Sequence, residues 1–276
     1  MANYTAADIK QLREQTGAGM LDVKKALDEA DGDQAKATEI LRIKGQKGVT
    51  KREGRTTSNG LVAAVAEDGV GTLVEVLCET DFVAKSPTFI ALAEQVLDQA
   101  VQSKASNADE LLKSTLADGR TVQELIDEAN ATIGEKIEVK RVARVEGDTV
   151  SAYLHKTSPD LPAQIGVLVA TSGGDSQVAR DVAMHVAAFA PTALRREEIP
   201  AETVENERRL AEATAKEEGK PEGALPRIIE GRVNGFFKEN VLTEQAFAKD
   251  PKKSVAQVLK EAGAETTSFA RFRVGA

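Results

Sequence analysis

The sequence predicts an α+β protein, on three observations. A strand-like alternation with a hairpin turn opens at Gly60, the same order of hairpin then amphipathic helix returns from Thr149, and helical segments without strand period lie at the N-terminus and at 202–238. With 276 residues the chain can hold two or three compact units, and the recurrence suggests two related ones, each a small antiparallel sheet with helices on one face.

Residues 1–45 are expected to form a three-helix bundle. Thr5 and Asp8 make a capping-box-like start, Ile9 and Leu12 share a face, and Gly17-Ala18-Gly19 stops the first helix. Met20 to Glu29 follows with Leu21, Val23, Ala26 and Leu27 apolar; Asp31-Gly32-Asp33 then turns and caps a third helix carrying Ala37, Ile40 and Leu41. About 40 residues bury little surface alone, which marks the bundle as an appended recognition unit.

Residues 46–59 are basic, rich in Gly and Thr and without an apolar period, and are expected to be a linker. The first core unit, 60–148, starts with GLVAAVA and GTLVEVLC around the hairpin turn Glu67-Asp68-Gly69. Ser86-Pro87 opens a helix through Phe89, Leu92 and Val96, further helix follows at 108–117 and 121–130, and a strand spans 136–145. The second unit, 149–253, has strands in TVSAYLHK and QIGVLVATS and a helix through Val178, Val182, Val186 and Phe189. Its charged stretch 202–238, broken at Gly219-Lys220-Pro221, is expected to fold back as a two-helix arm. Residues 254–276, a helix to about Ala262 and then the strand SFARFRV, are set apart as a C-terminal module.

Composition narrows the function. A formal charge of −8 and a pI near 5.1 repel phosphate backbones and anionic membranes, so neither direct nucleic-acid binding nor membrane attachment is expected. One cysteine, Cys78, and no apolar run of spanning length favour a reduced, cytoplasmic setting. No phosphate loop and no G-x-S-x-G motif occur, and Cys78 lies inside a predicted strand, where it reads as a small hydrophobe. His155 and His185 give no metal-ligand pattern, and His185, on the apolar face of AMHVAAF, reads from the residues alone as a satisfied core histidine. Neither an enzyme nor a cofactor of its own is expected.

The stretch CETDFVAK at 78–85 falls where a strand hands over to a helix. Its Phe82 has two readings: a hydrophobic staple under the next helix, which period and composition favour, or a protruding anchor.

Several segments together resemble the bacterial elongation factor Ts family: LREQTGAGMLDVKKAL at 12–27, ETDFVAK at 79–85, IGEKIEVKRV at 133–142, MHVAAFAP at 184–191 and the C-terminal SVAQVLKEAGAETTSFARFRVG. The similarity spans essentially the whole chain in order; Val23 departs from it, where many members carry Cys. The resemblance implies a bundle similar to ubiquitin-associated domains, two related core subdomains, an inserted antiparallel arm and a C-terminal module. It implies nucleotide exchange on elongation factor Tu, with Mg²⁺ and GDP belonging to that partner. Matched motif by motif, Thr80, Asp81, Phe82 and Val83 would be the exchange element, with Phe82 a wedge beside the partner's Mg²⁺ and phosphate site. Ile133 and Gly134 would be a further contact, His185 a contact to the partner's third domain, and Met20 part of the N-terminal docking surface. Self-association through the arm stays open.

Two readings from other classes remain beside this one. A polypeptide-binding adaptor would capture partners through residues 1–45 alone, and an enzyme with an acidic site would turn over without Tu. Neither accounts for the junction at Phe82.

Overall fold

Three short helices open the chain, and polar caps set their ends. The computed structural model describes residues 3–16, 18, 20–52 and 54–276. Helix α1 (Ala6–Thr16) starts where the Thr5 amide donates to the Asp8 carboxylate at 2.6 Å and the Asp8 amide donates back to Thr5 Oγ1 at 3.3 Å. Its predicted stop at Gly17 and Gly19 lies outside the described residues. Helix α2 (Met20–Glu29) ends at Asp31 and Gly32, with φ of 51° and 86°. A Cβ at Gly32 would stand 2.5 Å from the Asn3 carbonyl oxygen, so the turn needs glycine for space as well as for torsion. Asp33 then caps α3 (Gln34–Arg52) through bonds from the Ala35 and Lys36 amides. Leu12, Val23, Ala26, Leu27, Ala37 and Leu41 fill the space between the three.

Helix α3 corrects the linker expectation, because helical backbone continues to Arg52 and leaves residues 54–58 as the irregular connection. Lys, Gln and Arg favour helix and no proline interrupts 34–52, so an element persists where an apolar period is missing.

The first core unit is built on β1 (Asn59–Glu67) and β2 (Val70–Cys78), joined by Asp68-Gly69 with both φ positive, the requirement of a tight primed hairpin turn. Four helices follow: α4 (Asp81–Ala84), α5 (Pro87–Ser103), α6 (Ala108–Lys113) and α7 (Val122–Ile133). Strand β3 (Glu138–Glu146) then adds antiparallel to β2, giving the order β1-β2-β3. Val74, Val76 and Cys78 face the helices and pack with Phe89, Val96, Leu125 and Ile137.

The second unit repeats this plan with β4 (Thr149–His155), β5 (Ile165–Gly173) and α8 (Ser176–Phe189). The arm follows as α9 (Ala201–Glu217) and α10 (Leu225–Asn240), tied by Arg232 to Glu218 at 2.8 Å and Arg208 to Glu230 at 3.3 Å. After it come β6 (Ala246–Phe247), β7 (Asp250–Ser254), α11 (Val255–Glu261) and β8 (Ala264–Arg273). Strand β8 pairs antiparallel with β5, so the sheet order is β4-β5-β8. Residues 254–276 are thus not a module apart: β5 exposes an unpaired edge that the alternating SFARFRV strand satisfies.

The two sheets stack face to face between their helices. Val62, Leu73 and Val145 of the first meet Leu168, Ala170 and Phe272 of the second. Close approach depends on Gly166 and Gly71, where added Cβ atoms would lie 2.6 Å from Leu73 and 2.7 Å from Val150. A charged pair enters this layer. Glu75 is fully buried on β2 and meets its cross-strand neighbour Arg141 on β3, Nε to Oε2 at 2.5 Å. The Arg141 guanidinium stacks 4.6 Å above the Phe272 ring and donates to the Arg273 carbonyl at 3.0 Å, so it clamps one sheet to the other.

Candidate partner-contact site

Strand β2 ends at Cys78, whose buried thiol donates to the Thr80 carbonyl at 3.2 Å. Burial first, and the neighbouring carboxylates after it, push that thiol up to about 12, which removes it as a nucleophile. Thr80 takes extended backbone, φ −121° and ψ 155°, and its Oγ1 accepts from the Val83 amide at 3.3 Å. Helix α4 is the single turn this cap starts, and bonds from the Lys85 amide to Asp81 O and from the Ser86 amide to Val83 O close it. Ser86 in turn caps α5 through the Phe89 amide at 3.3 Å.

A single turn can present only part of itself to the core. Ala84 is buried and Val83 packs beside it against the helix-side cluster, which leaves Phe82 pointing outward with 73% of its surface exposed. The staple reading of Phe82 is therefore incorrect: Val83 and Ala84 fill that role. Lys85 Nζ lies 4.5 Å from the Phe82 ring centroid and 3.4 Å from Asp81 Oδ2, so the ring is flanked by an ion pair.

The turn is cross-braced to the loop after α7. Glu135 accepts from the Thr80 amide at 3.0 Å and from Thr80 Oγ1 at 2.6 Å, while Glu79 accepts from the Lys136 amide at 2.6 Å. Each segment lends a carboxylate to the other's backbone. Asn59 Nδ2 adds a bond to the Glu79 carbonyl at 2.8 Å and Arg55 pairs with the Glu79 carboxylate at 3.2 Å. Ile133 is half-buried at the end of α7, and Gly134 caps it at φ 84°. The structure thus brings Thr80, Asp81, Phe82 and Val83 into one unit with Ile133 and Gly134. Met20 lies on the separate bundle, 59% exposed beside the exposed Leu21.

Sequence reasoning missed Glu79 and Glu135 as positioning residues. Both stand inside the quoted segments, but only a fold that joins residues 55 positions apart in the chain gives them this work. Glu135→Ala is expected to free the Thr80 amide at a cost of about 1–3 kcal/mol. Hydrogen exchange at Thr80 and Val83 should then speed up while β2 amides stay protected, and unchanged Thr80 protection would refute the brace.

His185 is 0% exposed, so its side chain cannot itself touch a partner. Its Nδ1 accepts from the Ala248 amide at 3.1 Å, which places the proton on Nε2 for a 2.8 Å bond to Gln245 Oε1. Phe189 stacks on the ring at 4.6 Å between centroids. The residue ties α8 to the segment after α10 and positions the exposed Met184 and Phe189. Desolvation holds its pKa below the ordinary 6.5, against the raising effect of Gln245. The folded state resists a proton that the unfolded chain accepts, so His185's contribution is full above about pH 6.5 and is lost as pH falls through its lower folded value. Urea midpoints at pH 7.5 and 5.5 should show this loss, and His185→Phe should diminish the difference.

Among the described residues no group of three or more His, Cys, Asp or Glu side chains is placed to hold a metal ion, and no helix is long and apolar enough to cross a membrane. What distinguishes the surface is a rigidly held apolar side chain. The fold and site define an α+β protein of two stacked, related units that carries an exposed aromatic on a braced turn at the end of the central strand of its first sheet.

The family follows from comparison with known proteins. The family model described as "Elongation factor TS" matches residues 79–276. Elongation factor Ts of Kineococcus radiotolerans is 64% identical over the full length of both chains, and that of Kocuria rhizophila is 62% identical, again over all of both. The chain belongs to the elongation factor Ts family.

Proposed function

We propose that the chain is the guanine-nucleotide exchange factor for elongation factor Tu, binding the GDP-bound GTPase and promoting GDP release so that GTP can rebind. The observation that carries this reading is Phe82, 73% exposed on a one-turn helix that two carboxylates fix in place. An aromatic held this stiffly can displace packed side chains in a partner with little ordering cost of its own.

In this reading Asp81 and Phe82 press on the elements that hold Mg²⁺ and the β-phosphate in Tu, and the chain brings no metal or nucleotide itself. Exchange requires only that it prefer the nucleotide-free state of its partner. GDP and the chain then weaken each other's hold on Tu by the same factor. Ile133 and Gly134 extend the contact beside Phe82, Met20 and Leu21 dock the bundle, and the α8 surface that His185 supports meets a second domain of Tu. Such a factor acts in the cytoplasm without covalent chemistry of its own. The test is release of labelled GDP from Tu by substoichiometric full-length chain: catalytic acceleration is expected, and release at the spontaneous rate would reject the reading.

A further inference from the structure

The RFR run at the end of β8 places Arg271 and Arg273 two residues apart on a strand, so both side chains stand on the same face of the second sheet. Register carries that face across the sheet: Arg271 lies opposite Val167 and then Tyr153, and Arg273 opposite Ile165 and then His155. Helix α8 covers this face but stops short of its last rows. An open cleft of about 460 Å³ remains, walled by Met184, Ala187 and Ala188 of α8, the Ala248-Lys249 segment and the two arginines.

Charge in this cleft is unbalanced. Its one carboxylate, Asp181, is already engaged by Lys249 at 2.7 Å and by Gln177 at 2.7 Å. Among the described residues neither Arg271 nor Arg273 has a carboxylate partner, in a protein whose net charge is −8. Arg271 donates one bond to the Ala187 carbonyl at 3.2 Å, and its Nε is buried without an acceptor. Desolvation, then the like charges of Arg273 and Arg141, press against the Arg271 cation. A half-buried guanidinium whose Nε lacks an acceptor, with Arg273 beside it and no carboxylate of its own, is costly unless an anion completes the site.

We propose that this cleft is a carboxylate-binding site that receives an acidic side chain of a protein partner, using Arg271 and Arg273 as its cationic wall. A planar carboxylate matches the fork of a guanidinium. The acidity of the whole molecule disfavours a polyanion such as a nucleic acid, whereas one compact charge meets only the local excess. Met184, 37% exposed on the rim, offers an apolar seat for the aliphatic part of the same side chain or its neighbour. The site stands at the second sheet and does not depend on Phe82, so it would grip a partner whether or not nucleotide exchange takes place.

The test uses N-acetylglutamate amide as probe and N-acetylglutamine amide as its uncharged control, titrated into the isotope-labelled full-length chain. The Nε–Hε resonances of Arg271 and Arg273 should shift saturably with the glutamate probe and not with the glutamine one. Loss of one charge-assisted contact in Arg273→Gln should weaken the response about tenfold, and Arg273→Glu should abolish it. Arg273 is exposed at the end of its strand, and circular dichroism checks that both variants stay folded. Equal shifts with both probes, no shift up to the solubility limit, or an unchanged response in Arg273→Glu would each overturn the proposal. Inorganic phosphate saturating at lower concentration than the carboxylate would overturn the ligand class.

Discussion

Phe82→Ala is expected to slow the release of GDP from elongation factor Tu that the proposed function assigns to the chain by about 30-fold, the consequence of losing an anchor worth about 2 kcal/mol in the state that releases nucleotide. The same variant should keep the wild-type urea midpoint. A side chain that is 73% exposed contributes little burial, and the cap and brace around it run through Thr80, Glu79 and Glu135 instead. This combination separates a wedge from a staple, because a staple would lose stability together with activity. Exchange at the wild-type rate by folded Phe82→Ala would remove Phe82 from the mechanism.

The second large effect is on the fold. Arg141→Met leaves the Glu75 carboxylate fully buried between the sheets without its cation, and its other oxygen already lacks a hydrogen-bond partner. Breaking such a pair from one side costs about 3–5 kcal/mol. Replacing both partners, Glu75→Leu with Arg141→Met, should recover most of that loss, since an apolar pair owes no desolvation. Urea unfolding of the single and double variants decides the matter. A double variant no more stable than Arg141→Met would mean that the clamp on Phe272 and the Arg273 carbonyl matters more than the buried charge.

Much of the fold could be read from local chemistry. Thr5 with Asp8, Asp68-Gly69 and Ser86-Pro87 each specify a terminus or a turn through the bonds and torsions they permit, and each stands where the residues placed it. The features that escaped depend on distant parts of the chain. Phe82 looked like a staple because only the packed structure shows Val83 and Ala84 already filling that space. His185 was drawn toward a partner by motif, yet Gln245 and the Ala248 amide, some 60 residues on, complete its bonds inside the protein. Helix α3 passes through a stretch with no apolar stripe, so periodicity had nothing to report there. Of the candidate site, the identity of the projecting residue was in the motif, whereas the carboxylates that stiffen it became visible only when the Thr80 turn and the loop after α7 came together.

The pairing of β5 with β8 has a consequence for synthesis. Ile165 waits for Arg273, so the second sheet cannot close until β8 has been translated, whereas the β1-β2-β3 sheet is complete by Glu146. The nascent chain therefore carries one finished unit and one raw strand edge from Gly173 until β8 begins at Ala264, roughly a third of the 276 residues. A message truncated before β8 is expected to yield a protein with a template for aggregation at its centre, and only translation through β8 covers it.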